Sequence, residues 1–224
     1  MIRHRFLVLL ILLSLLLVVH PIAIRVGTAH TLMRMLTASV FGVAMWNVFR
    51  SRRARALGLL LGIPVIAGRW MSLSNPSLAD TWVPFAFNLA TALFLGYCVV
   101  MILAAVYAES HLTREAIYGA LCGFLLIGAA FGHLFYCLEW LVPEDYQVAA
   151  TPTQMHNERE KEALYMYYSY AALTGMSDPE VSPRNEAGRS LVLAEAVLGQ
   201  FYIIVVLSEL ISLRVSRVPA RLEA

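Results

Sequence analysis

Charged residues are scarce in this sequence. Asp, Glu, Lys and Arg make up 14% of its 224 residues, whereas 59% are hydrophobic. A soluble domain of this length needs more polar side chains to cover its surface, so the composition excludes an ordinary soluble globule. It predicts an integral membrane protein in contact with the lipid bilayer. We expect no nucleic-acid partner.

Cysteine is rare, and signatures of enzymes are missing. The three cysteines, Cys98, Cys122 and Cys137, lie in apolar runs, and their odd number does not favour a disulfide framework. The sequence contains neither a His-Glu-x-x-His element nor a Gly-x-Ser-x-Gly elbow, which intramembrane hydrolases would use. We therefore expect no enzymatic activity, no cofactor and no metal site.

Long apolar runs dominate what is present. Six windows have the length and composition of membrane spans, although the third is short: Phe6–Ile24, Thr31–Phe49, Ala56–Trp70, Trp82–Tyr107, Ile117–Leu141 and Leu191–Leu213. Between the last two lies a shorter aromatic segment, Leu164–Thr174, that predicts a re-entrant helix. The expected fold is all-α, with six transmembrane helices and a re-entrant pore helix between the last two.

Basic residues mark one side of the membrane. They lie before the first span, between the second and third, between the fourth and fifth, and after the sixth. These residues are Arg3, Arg5, Arg50, Arg52, Arg53, Arg55, Arg114, Arg214, Arg217 and Arg221. Because short loops rich in Arg and Lys stay in the cytoplasm, both termini are predicted there. The first run also resembles a secretory signal, but it extends beyond the usual apolar core without a small-x-small site, which favours a retained helix.

The sequence divides into three predicted parts. Residues 1–110 form a four-helix module, residues 111–215 a second module, and residues 216–224 a short cytoplasmic tail. The fourth span carries no arginine between Trp82 and Tyr107. A voltage sensor needs several basic residues at regular spacing, so gating of that kind is not expected.

The second module resembles a known pore. Its matching runs are Tyr167–Thr174, Val181–Pro183, Arg189–Leu191 and Leu193–Tyr202. They are similar to the pore of the bacterial two-helix potassium-channel family, which has an aromatic-Ser-aromatic pore helix, a filter, a following proline and an inner helix with Glu-Ala and Gly-Gln-Phe-Tyr-like elements. The resemblance implies passive transport of cations (K, Na or Ca) by a homotetramer in the bacterial inner membrane.

The filter departs from that family. Its positions hold Thr174, Gly175, Met176, Ser177, Asp178 and Pro179, and Glu180 follows at the outer mouth. Ser177 and Pro179 replace both filter glycines, so the usual ladder of backbone carbonyls should not form. Four copies of Asp178 and Glu180 would instead give rings of carboxylates that attract cations. The alternative is a non-conducting membrane scaffold or regulatory interaction protein that has kept the pore architecture.

Five residues of the last helix recur at intervals of about three and four: Glu195, Gly199, Tyr202, Val206 and Glu209. This spacing predicts one shared face, and because membrane carboxylates usually face a bundle interior or a wet cavity, we expect that face to line the pore. Glu195 matches the family motif and would support the scaffold, whereas Glu209 would line an inner vestibule or pair with Arg214. Gly199 is either a hinge or a point of close helix packing.

Overall fold

A computed structural model describes residues 5–25, 38–44, 51–74, 81–108, 113–142, 146–148, 158–176 and 181–215. Nearly all of these residues are helical, which confirms the predicted all-α class. The helices are α1 (Arg5–Arg25), α2 (38–44), α3 (Arg52–Ser74), α4 (Val83–Tyr107), α5 (Arg114–Leu141), α6 (Glu158–Leu173) and α7 (Glu186–Val215). Two short strands, β1 (Tyr146–Val148) and β2 (Val181–Pro183), flank α6.

Three of the described helices are long and apolar enough to cross a bilayer. They are α4, α5 and the stretch Glu186–Val206 of α7. The apolar stretch found in α1, Phe6–Val19, is shorter than a span. These helices indicate a membrane protein with three candidate spans, a coarser result than the six spans expected from the sequence.

Helices α4 and α5 run antiparallel at the centre of the molecule. Phe85 near the start of α4 packs against Trp140 at the end of α5, with ring centroids 5.0 Å apart. The main hydrophobic cluster joins both predicted modules, with buried members such as Leu9, Phe41, Val65, Ile102, Leu126 and Leu173. The four-helix module and the second module therefore share one core.

The start of α1 docks on the start of α5. Thr113 caps α5 by accepting a hydrogen bond from Ala116 N at 3.1 Å. In the same first turn of α5, Glu115 Oε2 accepts a hydrogen bond from Phe6 N at 2.9 Å, which satisfies a backbone donor in the first turn of α1. Because both helices begin at this end, α1 runs parallel to α5.

A buried polar pair fixes α4 to α5. Asn88 Nδ2 donates to Pro84 O at 2.8 Å, so Asn88 Oδ1 is left as the acceptor for His133 Nδ1 at 2.6 Å. Both side chains are buried. This assignment gives the His133 tautomer with its proton on Nδ1.

Candidate functional site

The chain approaches α6 and leaves it at one end of α5. Strand β1 precedes α6, β2 precedes α7, and the two pair antiparallel with Tyr146 opposite Pro183. Near the start of α7, Leu191 packs against an aromatic cluster that contains Phe135 and Tyr136, both in the last quarter of α5. Helix α7 therefore begins where α5 ends, and the small sheet holds the two connecting segments together.

Helix α6 is shorter than a membrane span. Its 16 residues extend about 24 Å, whereas about 20 residues are needed to cross a hydrocarbon core. Its last residue, Leu173, contacts Gly199, which lies about 20 Å along α7 from Glu186. The helix thus ends beside the middle of α7.

The turn after α6 is a helix cap. Gly175 has a φ of 75°, in the left-handed region that favours glycine. Gly175 N donates to Ala172 O at 3.0 Å, and Met176 N donates to Ala171 O at 2.8 Å. This pair of bonds is the Schellman pattern, in which the turn satisfies the last carbonyls of the helix. Thr174 to Met176 therefore form a compact turn and not an extended row of carbonyls.

Small residues on α5 bring α6 close. A β-carbon added to Gly128 would lie 2.5 Å from the Tyr170 ring, and one added to Gly132 would lie 3.0 Å from Met166 Sδ. Tyr170 then donates its hydroxyl to Leu125 O at 2.7 Å. Glycines of this kind let helix backbones approach within a membrane, where close packing drives association.

A buried polar contact joins α6 to α7. Ser169 Oγ lies 2.5 Å from Glu195 Oε1 and 2.6 Å from Gly128 O. Both Ser169 and Glu195 are 0% exposed. One turn further along α7, a β-carbon on Gly199 would lie 2.5 Å from Leu173 O. The structure therefore favours close helix packing, and not a free hinge, as the reason for glycine at position 199.

The predicted face of α7 lies inside the subunit. Tyr202 donates to Ala120 O at 2.6 Å on α5, and Val206 is buried with 7% exposure. Together with Glu195 and Gly199 these residues do share one face, but that face packs against α5 and α6. Within the single subunit this packing favours a structural role for the four residues, and the lining of a pore by this face stays a prediction. Glu209 lies in α7, with its side chain outside the described part of the structure.

The opposite face of α7 is open. Within its candidate span 17% of the residues are buried, against 61% for α5. The exposed apolar side chains of this face and its borders are Leu193, Val197, Leu198, Phe201, Ile203, Ile204 and Val205. Of the three candidate spans, α7 is the one least covered by the subunit itself.

The filter-equivalent residues are only partly described. Thr174, Gly175 and Met176 are exposed at the end of α6. Ser177, Asp178, Pro179 and Glu180 lie outside the described residues, and so does the predicted pair of carboxylate rings. Among the residues that are described, no three His, Cys, Asp or Glu side chains are grouped to hold a metal ion.

Sequence reasoning missed one pairing that defines the site. It named Glu195 and Ser169 separately, each as part of a motif, without expecting them to meet. The sequence does contain a signal for this pairing. Glu195 is a carboxyl group in an apolar helix and Ser169 is a hydroxyl group in an aromatic helix, and each needs a polar partner.

Comparisons with protein-family models, with curated proteins and with solved structures found no match.

Proposed function

We propose that residues 111–215 form the pore module of a cation channel of the potassium-channel superfamily, with an atypical filter that contains carboxylates. The observation that carries this proposal is the course of the chain around α6. Helix α6 starts near the end of α5 and stops beside the middle of α7. The polypeptide then returns towards the end of α5, where β2 pairs with β1. This course supports the proposal, because a re-entrant pore helix would follow it.

The exposed turn supports a water-filled path. Non-helical backbone at membrane depth is tolerated only where it is buried in protein or lines an aqueous cavity. Thr174, Gly175 and Met176 are exposed in the single subunit, although they follow a helix that ends beside the middle of α7. The turn needs water or neighbouring copies of the chain around it, and a pore on a symmetry axis provides both.

The open face of α7 supports a homotetramer. Its apolar side chains cover the part of α7 that neither α5 nor α6 contacts. In a four-fold assembly this face would pack on neighbouring copies and border the axial path below the turn. Asp178 and Glu180 would then form the carboxylate rings that select among K⁺, Na⁺ and Ca²⁺.

The cellular setting of the proposal comes from the charge pattern and from the family resemblance. The protein would be a multi-pass protein of the bacterial inner membrane, with six spans and both termini in the cytoplasm.

A non-conducting scaffold is the second candidate, and one observation favours it. The Schellman turn uses the carbonyls of Ala171 and Ala172 within the subunit, so these oxygens are turned to the helix cap. A chain in which a cap occupies the first filter-equivalent positions, Thr174 to Met176, would keep the architecture of a pore without part of the carbonyl ladder that conducts potassium.

Recordings from purified protein in planar bilayers separate the two candidates. The channel proposal predicts discrete current steps carried by cations, at a protein concentration where size-exclusion chromatography shows one oligomeric species. A folded oligomer that gives no current with K⁺, Na⁺ or Ca²⁺ at any voltage would overturn conduction and leave the scaffold.

A further inference from the structure

The hydroxyl group of Ser169 lies between two oxygen atoms of neighbouring helices. The Ser169 hydroxyl has one proton, yet two oxygens lie within hydrogen-bond distance, Gly128 O at 2.6 Å and Glu195 Oε1 at 2.5 Å. The carbonyl oxygen of Gly128 can only accept. Two oxygens this close require a proton between them, because their lone pairs otherwise repel.

Only one arrangement satisfies both contacts. Ser169 donates to Gly128 O, and Ser169 Oγ must then accept from Glu195, which requires a protonated carboxyl group. We infer that Glu195 is a neutral carboxylic acid that donates to Ser169, and that this hydrogen-bond chain from α7 through α6 to α5 positions the pore helix.

The surroundings of Glu195 agree with the neutral form. The side chain is 0% exposed, and Oε2 has no hydrogen-bond partner among the described residues. A buried carboxylate would leave a charged oxygen unsatisfied, which costs far more than an unsatisfied carbonyl of a neutral acid. No ion pair with Glu195 occurs within the described ranges either. Inside a membrane, an unpaired ion at such a position is strongly disfavoured.

The hydrogen bond between Glu195 and Ser169 joins the same two helices, α7 and α6, as the contact between Gly199 and Leu173. Glu195 and Gly199 lie one turn apart on α7, and their partners Ser169 and Leu173 lie one turn apart on α6. The two contacts fix both the rotation and the depth of α6, and thereby the position of the turn that begins at Thr174. Glu195 is thus a positioning residue, and its effect on ion selection rests on the proposed function, whereas its protonation state does not.

Infrared difference spectroscopy of the purified protein at neutral pH tests the inference without any measurement of conduction. A protonated carboxyl group has a carbonyl stretch at higher frequency than a carboxylate. The Glu195→Gln variant is expected to lose one such band relative to the wild type. The matched control is Glu186→Gln on the same helix, whose side chain is 91% exposed and pairs with Arg189, and which should lose a carboxylate band instead.

A second variant keeps the test decisive if Glu195→Gln does not fold. Ser169→Ala retains Glu195 but removes its acceptor, so the protonated band should remain and shift in frequency. Loss of only a carboxylate band in Glu195→Gln, or an unchanged protonated-carboxyl region in Ser169→Ala, would overturn the inference. Neither result depends on ion flux, so failure of this proposal and failure of the channel proposal are distinguishable.

Discussion

Gly199 approaches Leu173 so closely that a β-carbon on Gly199 would lie 2.5 Å from the Leu173 carbonyl oxygen and 2.8 Å from Leu173 Cδ1. One of the two atoms is backbone, which cannot move aside as a flexible side chain would. The contact sets the distance between α7 and the end of α6.

Gly199→Ala is therefore expected to destabilise the protein. Overpacking of this kind costs about 1–3 kcal/mol, because a backbone must shift to admit the methyl group. The measurement is thermal unfolding in detergent. Gly96→Ala in α4 is the matched control, since no atom lies within 4 Å of its added β-carbon. Equal melting temperatures for the two variants would refute close packing at Gly199.

Gly175→Ala tests the cap at the end of α6. A β-carbon there has open space, with Gln200 Nε2 the nearest atom at 3.6 Å, so any cost comes from the backbone φ of 75°. An L-residue in this region costs about 1–2 kcal/mol. Gly175→Asn should be milder, because Asn tolerates the left-handed conformation. Thermal unfolding should rank wild type above Asn and Asn above Ala, and the reverse order of Asn and Ala would contradict the cap.

Tyr170→Phe tests the hydrogen bond that ties α6 to α5. The variant removes the hydroxyl that donates to Leu125 O and leaves the carbonyl, so a loss of about 0.5–1.5 kcal/mol is expected. The control is Tyr167→Phe on the same helix, where the side chain is 59% exposed. Denaturation curves should separate the two variants. A larger loss at position 167 would show that the Tyr170 bond contributes little.

The order of the described helices could be predicted from the sequence, but the residues at which some of them begin could not. Helix α6 was predicted to start at Leu164 and starts at Glu158 instead. The apolar and aromatic pattern begins only at Leu164, whereas the preceding Glu and Lys residues are good helix formers that hydropathy overlooks. The start of α7 at Glu186 has a similar cause, because Asn185 Oδ1 accepts from Gly188 N and caps the helix before its apolar part.

The residues of the candidate site could be predicted from the sequence, but the direction in which their shared face of α7 points could not. Spacing grouped Glu195, Gly199, Tyr202 and Val206 on one face of α7, and the structure keeps that grouping. Periodicity alone does not tell a face that lines water from one that packs on a neighbouring helix, because both suit small or polar residues in a membrane. In the single subunit Gly123 on α5 gives the direction of this face, since it leaves room for Tyr202.

Strand pairing between Tyr146–Val148 and Val181–Pro183 was not expected from the sequence. Each strand has three residues, too few for an alternating pattern to emerge. A contact between segments more than thirty residues apart depends on the packing of α6 between them, which local signals do not contain.

The carboxylate filter is the central claim, and ion flux into liposomes containing purified protein tests it most directly. K⁺, Na⁺ and Ca²⁺ would be compared for the wild type and for the Asp178→Asn/Glu180→Gln double variant, with equal oligomer content shown by chromatography. The account predicts cation flux in the wild type and an altered preference among the ions in the double variant, because the rings of charge are gone. Absence of flux from a folded oligomer, or an ion preference unchanged by the double substitution, would contradict it.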